Sequence, residues 1–343
     1  MIQALRLALA LFVFTPFLAK ALPPVSERPD LNEFYSSAFQ LPDTRICAVF
    51  ENLENFQSTL PQAKMYFVCL KDRRFTKARQ LQPGISEQFN YFANARPVTI
   101  NGKIWIYFTA VDTQKNESKW GRFAFDENDP ETPVEWLNAQ ESLVGQIRPW
   151  IFPSLTSSGD ILLAYEKRNS TTGLMDLFFA RSAKGRDFSV GLPIASGAQM
   201  VRFAEFEKGP WAFSYQVGSG KQMNAFVKFS ADQGQSFSTP IQISQYKNIH
   251  DTFLLKRHDG ELDVYYLVWM EGSGYSLFRR QLKRDGGLGP EQQLTSTAVA
   301  VEKPHCLRLA SGKIFVTLSK LNAPTSSTVA SDIVFMTLMD DAE

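Results

Sequence analysis

Six stretches of the chain place a cation or an imidazole at the start of an alternating apolar segment. They carry Arg45, Arg96, Arg148, Arg202, His250 with Asp251, and Lys303 with His305. Two of the three histidines fall in this set, and His258 lies in a turn. A planar guanidinium makes paired, directional hydrogen bonds, so convergent arginines suit a carboxylate or a sulfate. The bland reading is a set of solvated cations at ordinary strand starts, because a one-residue shift in register turns every side chain to the other face. Asp251 suits acid/base work and equally well a turn cap; Glu205 and Glu166 are further carboxylates of this kind. Trp150, Trp211 and Tyr215 suit stacking on a sugar or packing between sheets. The spacings of Cys47, Cys69 and Cys306 match no metal site, and neither a metal nor a cofactor is expected.

The elements that carry these residues repeat. Segments ending at Leu41, Leu81, Leu137, Ile194, Ile243 and Leu294 close successive units, at steps of 81 − 41 = 40, 56, 57, 49 and 51 residues. Each full unit opens with a hairpin. The turns fall at Asn101-Gly102, Ser158-Gly159, Lys208-Gly209, Asp259-Gly260 and Ser311-Gly312, where one residue must reach positive φ. A third strand follows: Tyr66–Cys69, Trp120–Phe125, Leu177–Ala180, Ala225–Phe229 and Tyr275–Arg279. Four strands per unit and no amphipathic helix predict an all-β, six-bladed β-propeller of four-stranded antiparallel blades. The N-terminal strand Phe34–Leu41 is expected to complete the C-terminal blade and so close the ring.

At 343 residues and 44% hydrophobic, the chain is long enough to bury a large core as one domain over 31–340. Arg6, the apolar run Leu7–Phe14 and Ala19-Lys20-Ala21 read as a signal peptide over 1–21, followed by a short lead at 22–30. Its removal deletes Arg6 and Lys20, and the formal charge moves from +1 to 1 − 2 = −1. Such a balance argues against a general nucleic-acid binder or a membrane-surface protein. The expected location is exported, periplasmic or secreted, with no membrane insertion after cleavage and a monomeric state. Cys47, Cys69 and Cys306 leave at least one thiol free; their pairing stays open.

Ser230-Ala231-Asp232-Gln233-Gly234-Gln235-Ser236-Phe237 has the pattern Ser-x-Asp-x-Gly-x-x-Phe. It is similar to the Asp box (BNR repeat) of sialidase-like propellers, and Ser182–Phe188, Arg284–Gly287 and Leu70–Phe75 keep fragments of it. Asp and Gly serve a tight turn here, whatever the ligand. Arg45-Ile46-Cys47-Ala48 resembles the Arg-Ile-Pro-Ala start of the sialidase first blade, with Cys47 in place of Pro. Pro153-Ser154-Leu155 and Gly159–Arg168 resemble its continuation, displaced to the third unit. The resemblance implies that Arg45 contacts a substrate carboxylate, with Arg96 and Arg148 as candidates by blade position. It also implies a Tyr nucleophile, a Glu and an Asp acid/base, a trio that no local motif identifies.

The expectation is therefore a sialidase-like propeller that binds a glycan or other acidic ligand at the central channel mouth. It would be a glycoside hydrolase if several carboxyl or tyrosyl groups face that channel. The alternative is a non-catalytic scaffold for a protein partner, since propellers host both.

Overall fold

The computed structural model describes residues 33–54, 62–71, 74–81, 89–129, 132–139, 149–271, 274–295, 301–321 and 331–338. The leader and lead segments lie outside them. The described chain is all-β, with a single 3-10 turn at Gly220–Gln222.

The strands form successive antiparallel meanders. The first contains β1 (Glu33–Gln40), β2 (Ile46–Glu54), β3 (Gln62–Lys71), the short β4 (Arg74–Phe75) and β5 (Arg79–Leu81). The second runs β6 (Tyr91–Ile100), β7 (Lys103–Asp112), β8 (Glu117–Ala124) and β9 (Glu135–Trp136). It joins the first through one parallel bridge, Ala63 to Tyr91. A two-residue β10 (Asn138–Ala139) follows. The third meander is β11 (Ile151–Leu155), β12 (Ile161–Arg168), β13 (Met175–Ser182) and β15 (Leu192–Ser196), with β14 (Asp187–Phe188) pairing β10. Then come β16 (Ala198–Glu205), β17 (Trp211–Val217), β18 (Asn224–Ser230) and β19 (Ile241–Gln242). The next is β20 (Ile249–Lys256), β21 (Leu262–Met270), β22 (Gly274–Leu282) and β23 (Gln292–Gln293). The last holds β24 (Val301–Arg308), β25 (Ile314–Leu321) and β26 (Ser331–Leu338).

The first strands of these meanders touch in cyclic order: β1 with β6, β6 with β11, β11 with β16, β16 with β20, β20 with β24, and β24 with β1. The architecture is propeller-like. Apolar clusters fill the space between neighbouring sheets; one joins Phe152, Leu162 and Phe179 of the third meander to Val201, Trp211 and Phe213 of the fourth.

One expectation is corrected. β1 does not complete the last sheet. It pairs with β2 from Phe39–Cys47 to Glu33–Asn52 and is the inner strand of the first meander. The reason is the Leu41-Pro42-Asp43-Thr44 turn, closed by the Thr44 N–H donating to the Leu41 carbonyl at 2.9 Å. That Pro-Asp turn starts a hairpin of its own. The other segment ends, near Leu81, Leu137, Ile194, Ile243 and Leu294, do mark fourth strands.

The first hairpin also settles the cysteines. Cys47 and Cys69 face each other across β2 and β3 and form a disulfide, while Cys306 is buried and free. The bridge spans 22 residues. Loop-closure entropy for that length predicts a loss of about 3 kcal/mol when both cysteines become alanine. Urea unfolding of the double variant, beside the parent with and without reductant, measures it.

Candidate functional site

Among the described residues, five of the six first strands named above carry a β-bulge near their start, and each bulge holds a residue other than glycine at positive φ. These are Tyr35 (53°), Asn94 (61°), Met200 (58°), Asp251 (46°) and Lys303 (53°). Left-handed backbone at such residues costs about 1–2 kcal/mol each, so the surrounding contacts must hold it. Two residues further along each strand the side chains turn to the axis: Ser37, Arg96, Arg202, Phe253 and His305, with Phe152 at the matching place on β11.

Arg96, Phe152, Arg202, Phe253 and His305 line one cavity of about 70 Å³. Arg96 is 9% exposed and Arg202 8%. Both guanidinium groups lie over the Phe152 ring, Arg202 at 3.7 Å from its centroid and Arg96 at 5.4 Å. Arg96 donates through Nε to Asn94 Oδ1 (2.8 Å) and through Nη1 to Ser37 Oγ (2.7 Å). Arg202 donates through Nη1 to the Val201 carbonyl (3.0 Å). Each guanidinium has five N–H groups. Among the described residues neither arginine forms an ion pair, and Arg202 uses one of its donors. Burial pulls Arg96 down to about 10; burial and then repulsion from Arg96 pull Arg202 down to about 9. Both remain cations at neutral pH.

His305 is the third polar group. Its Nδ1 accepts the Ala38 N–H at 3.2 Å, so the neutral ring carries its proton on Nε2. Burial, with help from Arg96 and Arg202, holds it well below the usual imidazole range. At neutral pH it is an uncharged donor beside two cations.

Nearer the strand starts, Lys303 Nζ pairs with Asp251 Oδ2 at 3.0 Å and sits 5.4 Å from the Tyr35 ring centroid. Burial disfavours the Asp251 charge, but Lys303, Arg202 and His250 outweigh it and keep this carboxylate below its ordinary range. His250 packs edge-on against Tyr275 (4.9 Å), and burial lowers it. Trp150 meets Tyr35 edge-to-face at 4.6 Å and lies parallel to Phe152. Glu166, 3% exposed, accepts the Met200 N–H; burial pushes it up to about 7 against that bond and the attraction of Arg202.

The structure thus brings Arg96, Arg202, His250, Asp251, Lys303 and His305 together, and Glu166 with them. Arg45 does not join them. It follows the β1–β2 turn at the far end of β1, where Asp43 (2.7 Å) and Glu127 neutralise it. The hydrogen bonds to Glu127 and then Asp43 raise its pKa further. Arg148 lies outside the described residues. Glu205 is spent on Ser157 and on the Trp211 indole. Trp211 and Tyr215 are core residues, buried against Phe213 and Phe226. Sequence reasoning missed Glu51, Asn94, Ser37 and Phe152. A usable signal existed for some ring positions: Gly159, Gly209, Gly260 and Gly312 each lie seven residues beyond Phe152, Arg202, Phe253 and His305 (for example 209 − 202 = 7).

No known family profile matches the sequence, and no curated protein matches it significantly. Solved structures do resemble the fold. A protein of unknown function from Dyadobacter fermentans superposes with a TM-score of 0.72 at 13% identity, over 92% of this chain and 97% of that one. The NanB sialidase of Streptococcus pneumoniae gives 0.68 at 9% identity, covering 93% and 70%. The α-L-arabinofuranosidase Arb93A of Fusarium graminearum gives 0.66 at 11%, covering 92% and 95%. At these identities the likeness is one of fold, shared with glycoside hydrolase propellers.

Proposed function

We propose that the chain is an exported six-bladed propeller that recognises an acidic glycan at its channel mouth. The anionic group is seated against Arg96, Arg202 and His305. One observation carries this reading: two guanidinium groups, each more than nine-tenths buried, have no carboxylate partner among the described residues. Burying a cation without a carboxylate in contact is costly, and a bound anion offsets that cost. The cavity is far below the roughly 300–1,000 Å³ of whole-ligand pockets. It suits a carboxylate or sulfate head, with the rest of the ligand outside it. The named sialidase and arabinofuranosidase neighbours act on glycans, which favours a glycan over other acids. The leader-like first 21 residues and the Cys47–Cys69 bridge support export.

Binding without turnover is the reading favoured over hydrolysis. Asp251 is held ionised by Lys303, and Glu166 is occupied with the Met200 amide, so neither is free to protonate a leaving group. The test uses purified protein lacking residues 1–21 on an array of sialylated, uronic-acid, sulfated and neutral glycans, beside fluorogenic sialosides and arabinofuranosides. Retention of acidic glycans alone, weakened at least tenfold by Arg96→Ala, is the expected result. Equal binding of neutral glycans, or indifference to Arg96→Ala, would overturn it; release of the fluorophore would restore hydrolysis.

A further inference from the structure

We propose that Glu51 and Glu166 are positioning residues of the arginine site, each holding and balancing one arginine from the preceding blade. The inference rests on the anion-site reading above.

Strand register defines one equivalent position on each second strand, beside the start of the inner strand. The six occupants are Glu51, Thr109, Glu166, Gln216, Leu267 and Ser319. Carboxylates occur at two of them. Each reaches across to the inner strand of the following meander and accepts the N–H of a residue at positive φ: Glu51 takes Asn94, and Glu166 takes Met200. Two residues after each of those amides stands a buried arginine, Arg96 and Arg202. The positions that lack a carboxylate precede Phe152, Phe253, His305 and Ser37 in the ring. A carboxylate is therefore present where an arginine follows and absent where none does. Packing alone gives no reason for that match.

The physical logic has two parts. A left-handed residue aims its N–H away from the strand ladder, and a carboxylate is a strong acceptor for it. That bond fixes the bulge, and the bulge fixes the direction of the arginine two residues on. The carboxylate also attracts the guanidinium from behind, Glu51 toward Arg96 and Glu166 toward Arg202, without an ion-pair contact. The donors facing the cavity stay available.

Glu166 makes this testable by pH. Arg202 of β16, Lys303 of β24 and Asp251 of β20 act on it electrostatically. Arg202 stays charged in the neutral range, and Asp251 stays ionised. His250 and His305 are both held below the usual imidazole range. Glu166, at about 7, is the group of this set that changes charge near neutrality. Its ionised form competes with a ligand carboxylate for Arg202, so binding is tighter on the acid side.

The experiment is isothermal titration of the protein lacking residues 1–21 with glucuronate at pH 6.5 to 8.5, using the parent, Glu166→Gln, Glu166→Ala and Arg202→Ala. Parental affinity is expected to fall about tenfold across the range. Glu166→Gln keeps an acceptor for the Met200 amide and loses the pH dependence, at the acid-side affinity. Glu166→Ala weakens binding at every pH. Binding that Arg202→Ala abolishes, with a parental pH profile in Glu166→Gln, overturns the positioning role alone. No binding by the parent overturns the arginine site and this inference with it.

Discussion

Arg202→Met is expected to abolish recognition of acidic ligands and at the same time to stabilise the fold. The two effects have one cause. Arg202 is 8% exposed, makes a single hydrogen bond, to the Val201 carbonyl, and has Arg96 as a like-charged neighbour. Its charge is disfavoured by burial first and by that neighbour second, which is why its pKa is depressed to about 9. At neutral pH the fold carries that cost in full. Exchanging buried ionic groups for apolar ones of similar volume often gains about 1–4 kcal/mol. The lost contact with the Phe152 ring, 3.7 Å from the guanidinium carbon, offsets up to about 2 kcal/mol of that gain. A net rise of about 1–2 kcal/mol in urea unfolding is the expected outcome. Binding moves the other way. A charge-assisted bond to a carboxylate contributes about 1.5–3 kcal/mol, and a guanidinium can supply two, so affinity for an acidic glycan should drop at least about 100-fold. A structural arginine predicts the opposite pair of results, lower stability with binding little changed. Measuring both on one variant separates the two roles.

The repeat was legible because turn chemistry is local. Asn101-Gly102, Asp259-Gly260 and Ser311-Gly312 sit where the hairpins turn, and Gly102, Gly260 and Gly312 have φ of 74°, 80° and 82°. The misplacement of β1 shows the limit of that reasoning. Ala38–Leu41 ends like a fourth strand, and only the pairing of Phe39 with Cys47 shows it to be a first. Arg45 was misjudged for the same reason. It does start a strand beside an apolar run, but a second strand starts at the opposite end of the blade from a first. Arg96, Arg202 and His305 were legible because each lies near the start of an alternating apolar segment. Glu51 and Asn94 were not, because their role lies in a contact between blades 43 residues apart in sequence. Bulges leave little periodic trace in a sequence, and this site is built on them.

The Ser230–Phe237 turn gives the other large effect, on stability alone. Asp232 accepts from Ser230 Oγ (2.8 Å) and the Ser236 N–H (2.9 Å), and Ser230 Oγ accepts the Gly234 N–H (2.6 Å). Gly234 has φ 91°, and a Cβ built there would lie 2.1 Å from Phe179 Cζ on the third meander. Phe179 cannot retreat: it is fully buried and ringed by Trp211, Phe213 and Phe237. Gly234→Ala therefore meets two penalties, about 1–2 kcal/mol for a left-handed non-glycine residue and about 1–3 kcal/mol for overpacking. A loss of about 2–5 kcal/mol in urea unfolding is expected. Gly102→Ala is the control, since φ is 74° there and no atom lies within 4 Å of the added carbon. It should lose about 1–2 kcal/mol, the backbone share alone. Equal losses for the two variants would mean that the turn does not bear on Phe179. A larger loss at Gly234 would identify this turn as a wedge between blades. Gly185 against Tyr107 and Gly286 against Ile241 repeat that geometry between the neighbouring pairs of sheets.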